Sequence, residues 1–216
     1  MTEVFRYQSQ SGEEPLTDWL RSLRDKQAQA KVRVRIKRLE AGNFGACYPV
    51  GEGVHELREH LGAGYRVLGP SWSDGGDLVV RRFQEIATCG YQNRQGVLGR
   101  LETEAKMSKK VKAAVSHHER EVAELRADRG LAVEYMKAAM ESLDNPDDRA
   151  AGLLALRSVA EAYGGLGAVA AEAGISRESL YRTLSAKGNP TLKTLLAVLK
   201  AVGMKLSVQP ERRAAV

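Results

Sequence analysis

Cysteine is nearly missing from this chain: Cys47 and Cys89 are its two thiols, in no CxxC pattern and beside no cluster of histidines. A disulfide framework or a zinc site is therefore not expected, nor is any other cofactor, and a reducing cytoplasm is the expected setting. Long apolar runs are missing too. No window approaches the roughly 18 consecutive apolar residues that a membrane span requires, so no membrane partner is expected. The opening MTEVFRYQSQ lacks the charged-then-apolar pattern of an export signal.

What is present suits a globular protein. The 216 residues suffice for two small domains, and 43% apolar with 28% charged residues is an ordinary balance. The net charge of +6 is informative once located: residues 173–216 hold eight Lys/Arg against two Asp/Glu, an excess equal to that of the whole chain. A basic terminal region is the electrostatic footprint of something that approaches phosphates, although a merely solvated basic surface has the same composition.

Helical signals run from Asp128 to Gly203. Asp128 is placed to cap a helix through about Leu143, with Leu131, Tyr135, Ala138 and Ala139 along one stripe. Asn145-Pro146-Asp147-Asp148 predicts a restart with proline at the first helical position, and Leu153, Leu156, Val159, Ala160 and Tyr163 face a core until Gly164-Gly165. Leu166 to Glu172 then reads as a short helix, Gly174 as a sharp turn, and Ser176 as the cap of a second short helix through Leu184. Two short helices cross steeply only where contact residues are small and the turn tolerates positive φ; Ala170 and Gly174 supply both, with Val169, Ile175 and Leu180 as apolar contacts. The outward face offers Ser176, Arg177, Ser179, Tyr181 and Arg182, with Lys187 just beyond. Hydroxyls and long cations there suit phosphates and base edges, and these six are the candidate DNA-binding residues.

The run Gly174-Ile175-Ser176-Arg177-Glu178-Ser179-Leu180-Tyr181, then Leu184-Ser185, Gly188-Asn189-Pro190 and a Leu-rich helix ending in Val202-Gly203-Met204-Lys205-Leu206, resembles the HigA-type antitoxins. The resemblance covers about residues 107–210. It implies an all-α, lambda-repressor-like domain over 107–216 with a helix-turn-helix at about 166–184, an operator DNA partner, homodimerisation through the C-terminal domain, and a cognate toxin. Lys205 to Gln209 alternates like a short terminal strand able to pair across a dimer axis. Lys109, Lys110 and Lys112 read as a mobile basic start, and His117-His118 as solvent-exposed, since adjacent histidines cannot ligate one metal from one helical face.

At the other end, Val4 to Gln8 reads as a strand and Pro15 opens a helix with Leu16, Trp19, Leu20 and Leu23 inward. Asp25 caps a second helix with Ala28, Val32, Ile36 and Leu39 on one face and Lys31, Arg33, Arg35, Lys37 and Arg38 elsewhere. Gly42-Asn43-Phe44-Gly45 ends it, and Val54–Leu61 and Tyr65–Leu68 read as two strands joined by Gly62-Ala63-Gly64. With Trp19-Leu20-Arg21-Ser22-Leu23-Arg24-Asp25, Gly51-Glu52-Gly53-Val54, Glu56-Leu57-Arg58 and Gly64-Tyr65-Arg66-Val67, this order resembles the RelE/ParE-type toxins, particularly the HigB-like branch. The resemblance implies an α+β domain and, in an active member, ribosome-dependent mRNA cleavage. Arg58, His60 and Arg66 are the candidate catalytic residues: cations to hold a scissile phosphate and a histidine to move a proton. Without the resemblance they read as ordinary strand residues.

After Val67 the toxin pattern stops. Residues 68–106 have loop-like composition with Trp72, Phe83, Ile86 and Cys89 scattered through them. Suitable codons for Val80 to Lys106, read one nucleotide later, can spell a Gly-Gly-x-Lys stretch, a strongly basic tail and a stop overlapping the ATG of Met107. The expected division is thus an incomplete toxin-like portion at 1–67, a frame-shifted segment at 68–106, and the antitoxin-like domain at 107–216. Losing later strands removes half of the sheet that would position Arg58 and Arg66, so the toxin-like half is expected to be inactive or partly folded and enzymatic activity is not favoured. The leading reading is a DNA-binding antitoxin and autorepressor; the alternatives are a self-inhibited mRNA endonuclease and an intact fusion with a new middle segment.

Overall fold

A computed structural model describes residues 2–9, 11–45, 47–51, 54–59, 65–72, 78–85 and 114–207. Its N-terminal elements follow their local signals. Strand β1 (Val4–Tyr7) precedes α1 (Pro15–Ser22), which has proline in its first turn and buries Leu16 and Leu20. Helix α2 (Lys26–Glu40) starts where the Asp25 side chain accepts a hydrogen bond from the Gln27 N–H at 2.8 Å. It ends at Gly42, whose φ of 82° continues no helix.

Four strands follow: β2 (Cys47–Gly51), β3 (Val54–Glu59), β4 (Tyr65–Trp72) and β5 (Leu78–Glu85). They join β1 and a short β6 (Ala114–Ser116) in one six-stranded sheet, ordered β2-β3-β4-β5-β1-β6. Strand β1 runs parallel to β5, and the other neighbours are antiparallel. Over residues 68–72 and 78–85 strand replaces the expected loop-like stretch, and the sheet carries strands beyond those expected, while the rest of 68–106 lies outside the described residues. β4 continues through Trp72, and the Val79-Val80 and Phe83 positions of β5 have the β-branched and aromatic character that a central strand accepts. Residues 86–113, with Lys109, Lys110 and Lys112, lie outside the described residues.

From His117 onward every described element is a helix: α3 (His117–Ala127), α4 (Arg129–Ser142), α5 (Arg149–Ala162), α6 (Gly165–Ala173), α7 (Arg177–Thr183) and α8 (Leu192–Ala201). Asp128 caps α4 through the Leu131 N–H at 3.0 Å, as its position predicts. The next helix begins later than expected. Pro146 lies in a turn rather than at a first helical position, because Asn145 closes that turn on the N–H groups of Asp147 through its side chain and of Asp148 and Arg149 through its carbonyl. The Asp148 carboxylate is taken by Arg38 of α2 instead of capping α5. At the other end, Lys205 to Ser207 form no strand within the single chain, while Val208 and Gln209 lie outside the described residues.

Among the described residues the core has two clusters, and α2 contributes to both. Ala28, Val32, Ile36 and Leu39 join Val4, Leu16 and Leu20 beneath the sheet. Ala30 and Val34, on another face of α2, join the larger cluster built from α3 to α8, where Tyr135, Leu156, Val159 and Leu180 are closed to solvent. Helices α4 and α5 approach closely through small residues. A Cβ on Gly152 would lie 2.7 Å from the carbonyl oxygen of Ala139, a backbone atom that cannot swing aside. Gly152→Ala is therefore expected to destabilise the chain by about 1–3 kcal/mol through overpacking, read as a lowered urea midpoint; an unchanged midpoint would refute this contact.

Candidate functional site

Helices α6 and α7 are joined by a turn that only a few residue types accept. Gly174 caps α6 with φ 68°, and the Ile175 N–H reaches back to the Ala170 carbonyl at 3.0 Å. Ser176 then starts α7, its hydroxyl accepting from the Ser179 N–H at 3.1 Å. Val169, Ala170, Leu180 and Leu184 are buried in the joint and Ile175 packs against it. The outward residues are Ser176, Arg177, Tyr181, Arg182 and Lys187, all exposed, with Ser179 half-buried. Arg177, Arg182 and Lys187 make no ion pair among the described residues. Tyr181 is engaged from behind: the Arg157 guanidinium lies 4.1 Å from its ring centroid, within cation–π range.

Arg157 belongs to a chain of contacts leading away from α7. Its Nε donates to Glu161 at 2.9 Å, His118 Nε2 lies 2.6 Å from the same carboxylate, and the other His118 nitrogen is 3.3 Å from the Lys37 ammonium. Burial works against ionising Glu161, but His118 and Arg157 outweigh it and hold the carboxyl at a pKa of about 2. Val4, Lys37, His118, Arg157 and Tyr181 line one cavity of about 460 Å³, so the N-terminal region borders the same space as α7.

A seam of buried charge joins the two regions. Arg6 of β1 and Arg33 of α2 both pair with Glu124 of α3, at 2.8 and 3.0 Å. Lys37 lies 2.9 Å from Glu121 of α3 and 2.8 Å from Glu40 of its own helix. The Tyr135 hydroxyl of α4 donates to Glu121 at 2.9 Å. Arg6, Arg33, Lys37 and Glu121 are all at most 1% exposed. Burial alone would neutralise both α3 carboxylates. Lys37 and His117 overcome it at Glu121, Arg6 and Arg33 overcome it at Glu124, and both are held below the ordinary carboxylate pKa.

The two histidines are not on the surface, contrary to the sequence expectation. β6 pairs with β1, Arg6 opposite Val115, so the first residue of α3 turns inward: His117 is fully buried and His118 half-buried. Arg6 Nε donates to His117 Nδ1 at 3.0 Å, and because an arginine cannot accept, the imidazole proton sits on Nε2. Burial and the Arg6 charge push the His117 pKa below 6.5 and keep the ring neutral. The cations of α2 are also misjudged by a one-face reading, since Arg33, Arg35 and Lys37 are buried. Ala30 and Val34, spaced four apart between those cations, are the sequence signal that this face too meets a core.

Of the candidate catalytic residues, Arg58 on β3 and Arg66 on β4 occupy directly partnered positions in the antiparallel ladder. His60 lies outside the described residues. Among the described residues no cluster of His, Cys, Asp and Glu is arranged to hold a metal, and no helix is long and apolar enough to cross a membrane.

Residues 117–210 match the sequence model of a family described as "Probable addiction module antidote protein". Two proteins of Haemophilus influenzae (strain ATCC 51907 / DSM 11121 / KW20 / Rd), both described as "Uncharacterized protein", are similar in sequence. One is 51% identical over 49 residues, covering 23% of this chain and 50% of the relative; the other is 45% identical over 60 residues, covering 28% and 61%. The chain thus spans between half and about three-fifths of the curated relatives it matches. No solved structure matches.

Three predictions follow from the charges that join the two regions. Glu124→Ala leaves Arg6 and Arg33 buried without a counter-charge and is expected to cost about 3–5 kcal/mol in chemical denaturation. Lys26→Ala, which opens an inter-region pair whose side chains are 46% and 41% exposed, is expected to cost under about 1 kcal/mol. Equal effects would show that burial of the pair is not what matters. Stability is also expected to fall as pH drops below 6.5, because the unfolded His117 takes up a proton that the folded ring refuses, and again below 4.5, because the unfolded Glu121 and Glu124 take up protons that the depressed native carboxylates do not. The urea midpoint between pH 8 and 4 reads this, and His117→Asn should flatten the upper limb only.

Proposed function

We propose that the helical region from His117 onward is a DNA-binding antitoxin and autorepressor of the HigA type, and that α6 and α7 are its helix-turn-helix. The observation that carries this reading is the exposed, unpaired row of Arg177, Arg182 and Lys187 beside Ser176 and Ser179, on a short helix fixed by the Gly174 turn. The antidote-family match over 117–210 supports the antitoxin part of the reading. Operator DNA is the partner. Arg177, Arg182 and Lys187 meet phosphates or base edges, and Ser176 and Ser179 offer hydroxyls at the start of the helix. Tyr181 reaches DNA with a ring already oriented by Arg157. Leu192 and Leu196, one turn apart on α8, and Leu206 are 60%, 44% and 48% exposed, and they support a homodimer through the C-terminal region. The N-terminal region is a RelE/ParE-like portion whose sequence departs after Val67 from the toxins it resembles. It serves as a structural partner rather than as an enzyme.

One observation favours the second reading, a self-inhibited mRNA endonuclease. Arg58 and Arg66, the residue type that holds a phosphate, occupy directly opposed positions on the adjacent strands β3 and β4.

The deciding experiment uses the full chain and DNA from upstream of its own coding region. Arg177→Ala combined with Arg182→Ala is expected to weaken binding by roughly ten-fold or more and to lower the log–log salt slope by about two. Unchanged affinity and slope would reject α7 as the reading helix. Ribosome-dependent mRNA cleavage that Arg58→Ala with Arg66→Ala abolishes, DNA binding being unaltered, would establish the second reading.

A further inference from the structure

An antitoxin must hold a toxin somewhere, and the charge seam indicates where in this chain. Resting on the antitoxin reading above, we infer that Glu121 and Glu124 on α3 are the partner-recognition surface of the antidote-like region, and that the N-terminal region of the same chain fills this surface permanently.

Three independent observations converge on it. The first is chemical complementarity. Arg6 and Arg33 reach Glu124, and Lys37 reaches Glu121, each carboxylate being closed to water and facing cations that come from the other region. A face carrying two buried carboxylates, if left bare, would gather cations or water; here its geometry is filled by β1 and α2. The second is continuity of the backbone. β6, which leads directly into α3, completes the edge of β1 in antiparallel register from Tyr7 opposite Ala114 to Phe5 opposite Ser116. The third is extent. The same seam continues through Arg120 to Glu14 at one end and through Arg38 to Asp148 at the other, and Ala30 and Val34 enter the helical core between them. A partner seated by buried ion pairs, a strand and an apolar insertion leaves no room for a second, separate domain of the same kind. The antidote-like region is therefore saturated in cis, and its occupant is an α+β region recognised through the cations of β1 and α2.

The test nicks the full chain. A protease recognition sequence inserted after residue 100 allows cleavage of the folded protein, with a fluorophore on the N-terminal fragment. The two fragments are expected to co-elute in gel filtration, and to stay together at 0.5 M NaCl, because buried pairs are screened little. Mixed with intact unlabelled chain, the labelled fragment is expected to remain with its original partner and not transfer. Glu121→Gln with Glu124→Gln should raise the dissociation constant of the nicked pair at least a hundred-fold. Since that variant removes buried partners, Arg120→Ala gives a second reading: its side chain is one-third exposed, and a several-fold weakening with an unchanged circular dichroism spectrum is expected. Wild-type fragments that separate as two folded species, ready transfer of label to the intact chain, or an unchanged dissociation constant in both variants would overturn the inference. A nicked pair that holds together in a chain that binds no DNA would instead remove the repressor reading and leave this one standing.

Discussion

Arg6, Arg33 and Lys37 are out of water, and a buried cation persists only with a counter-charge in contact. Glu124, Glu121 and Glu40 supply it, so the cluster contains three positive and three negative side chains, and His117 within it stays neutral. Two of those carboxylates come from α3 and all three cations from β1 and α2. Neither region is electrically complete alone. The packing of the molecule follows from that arrangement: once α3 is seated against β1 and α2, β6 is drawn to the edge of the sheet and α4 and α5 close over the Ala30 and Val34 face. Pairs of this kind contribute less to net stability than their number suggests, because desolvation offsets much of the attraction. What they add is orientation, since Arg6, Arg33 and Lys37 meet Glu124 and Glu121 only where α3 lies against β1 and α2.

The same seam reaches α7. Lys37, His118, Glu161, Arg157 and Tyr181 touch in succession, from α2 through α3 and α5 to α7. Helix α5 is the hub of this path. It packs on α4 through Gly152, carries Glu161 and Arg157 toward α7, and gives Leu156 and Val159 to the core on which α6 and α7 rest. The orientation of Tyr181 thus depends on contacts that begin in the N-terminal region.

Much of the local structure was legible in the sequence. Asp25, Asp128, Ser176 and Gly174 end or begin helices where their side chains or lack of one say they must, and the apolar sets of α1, α2, α4 and α5 face inward as their spacing indicates. The outward row on α7 was legible too, because a short capped helix has one face left once Leu180 and Leu184 are buried. Three readings failed for one shared reason. Local pattern places His117-His118 on the surface, residues 68–72 and 78–85 in a loop, and the cations of α2 off its core face. Each is decided by a partner far away in the chain: Arg6 for His117, β1 for β5, Glu121 and Glu124 for Lys37 and Arg33.

By itself, then, the sequence determined where helices start and stop, which face of each is apolar, and that a basic Ser-capped helix follows a glycine turn near the C-terminus. Those properties depend on residues within one or two turns of each other, where the backbone's own hydrogen-bonding needs and side-chain spacing dominate. Only the tertiary structure decided that two regions share one sheet, that a helix with six basic residues is buried on two faces, and that two glutamates on α3 are matched by three cations from more than 80 residues upstream. Burial reverses the usual meaning of a charge, and burial is a property of the neighbours that folding brings together, which no local pattern encodes.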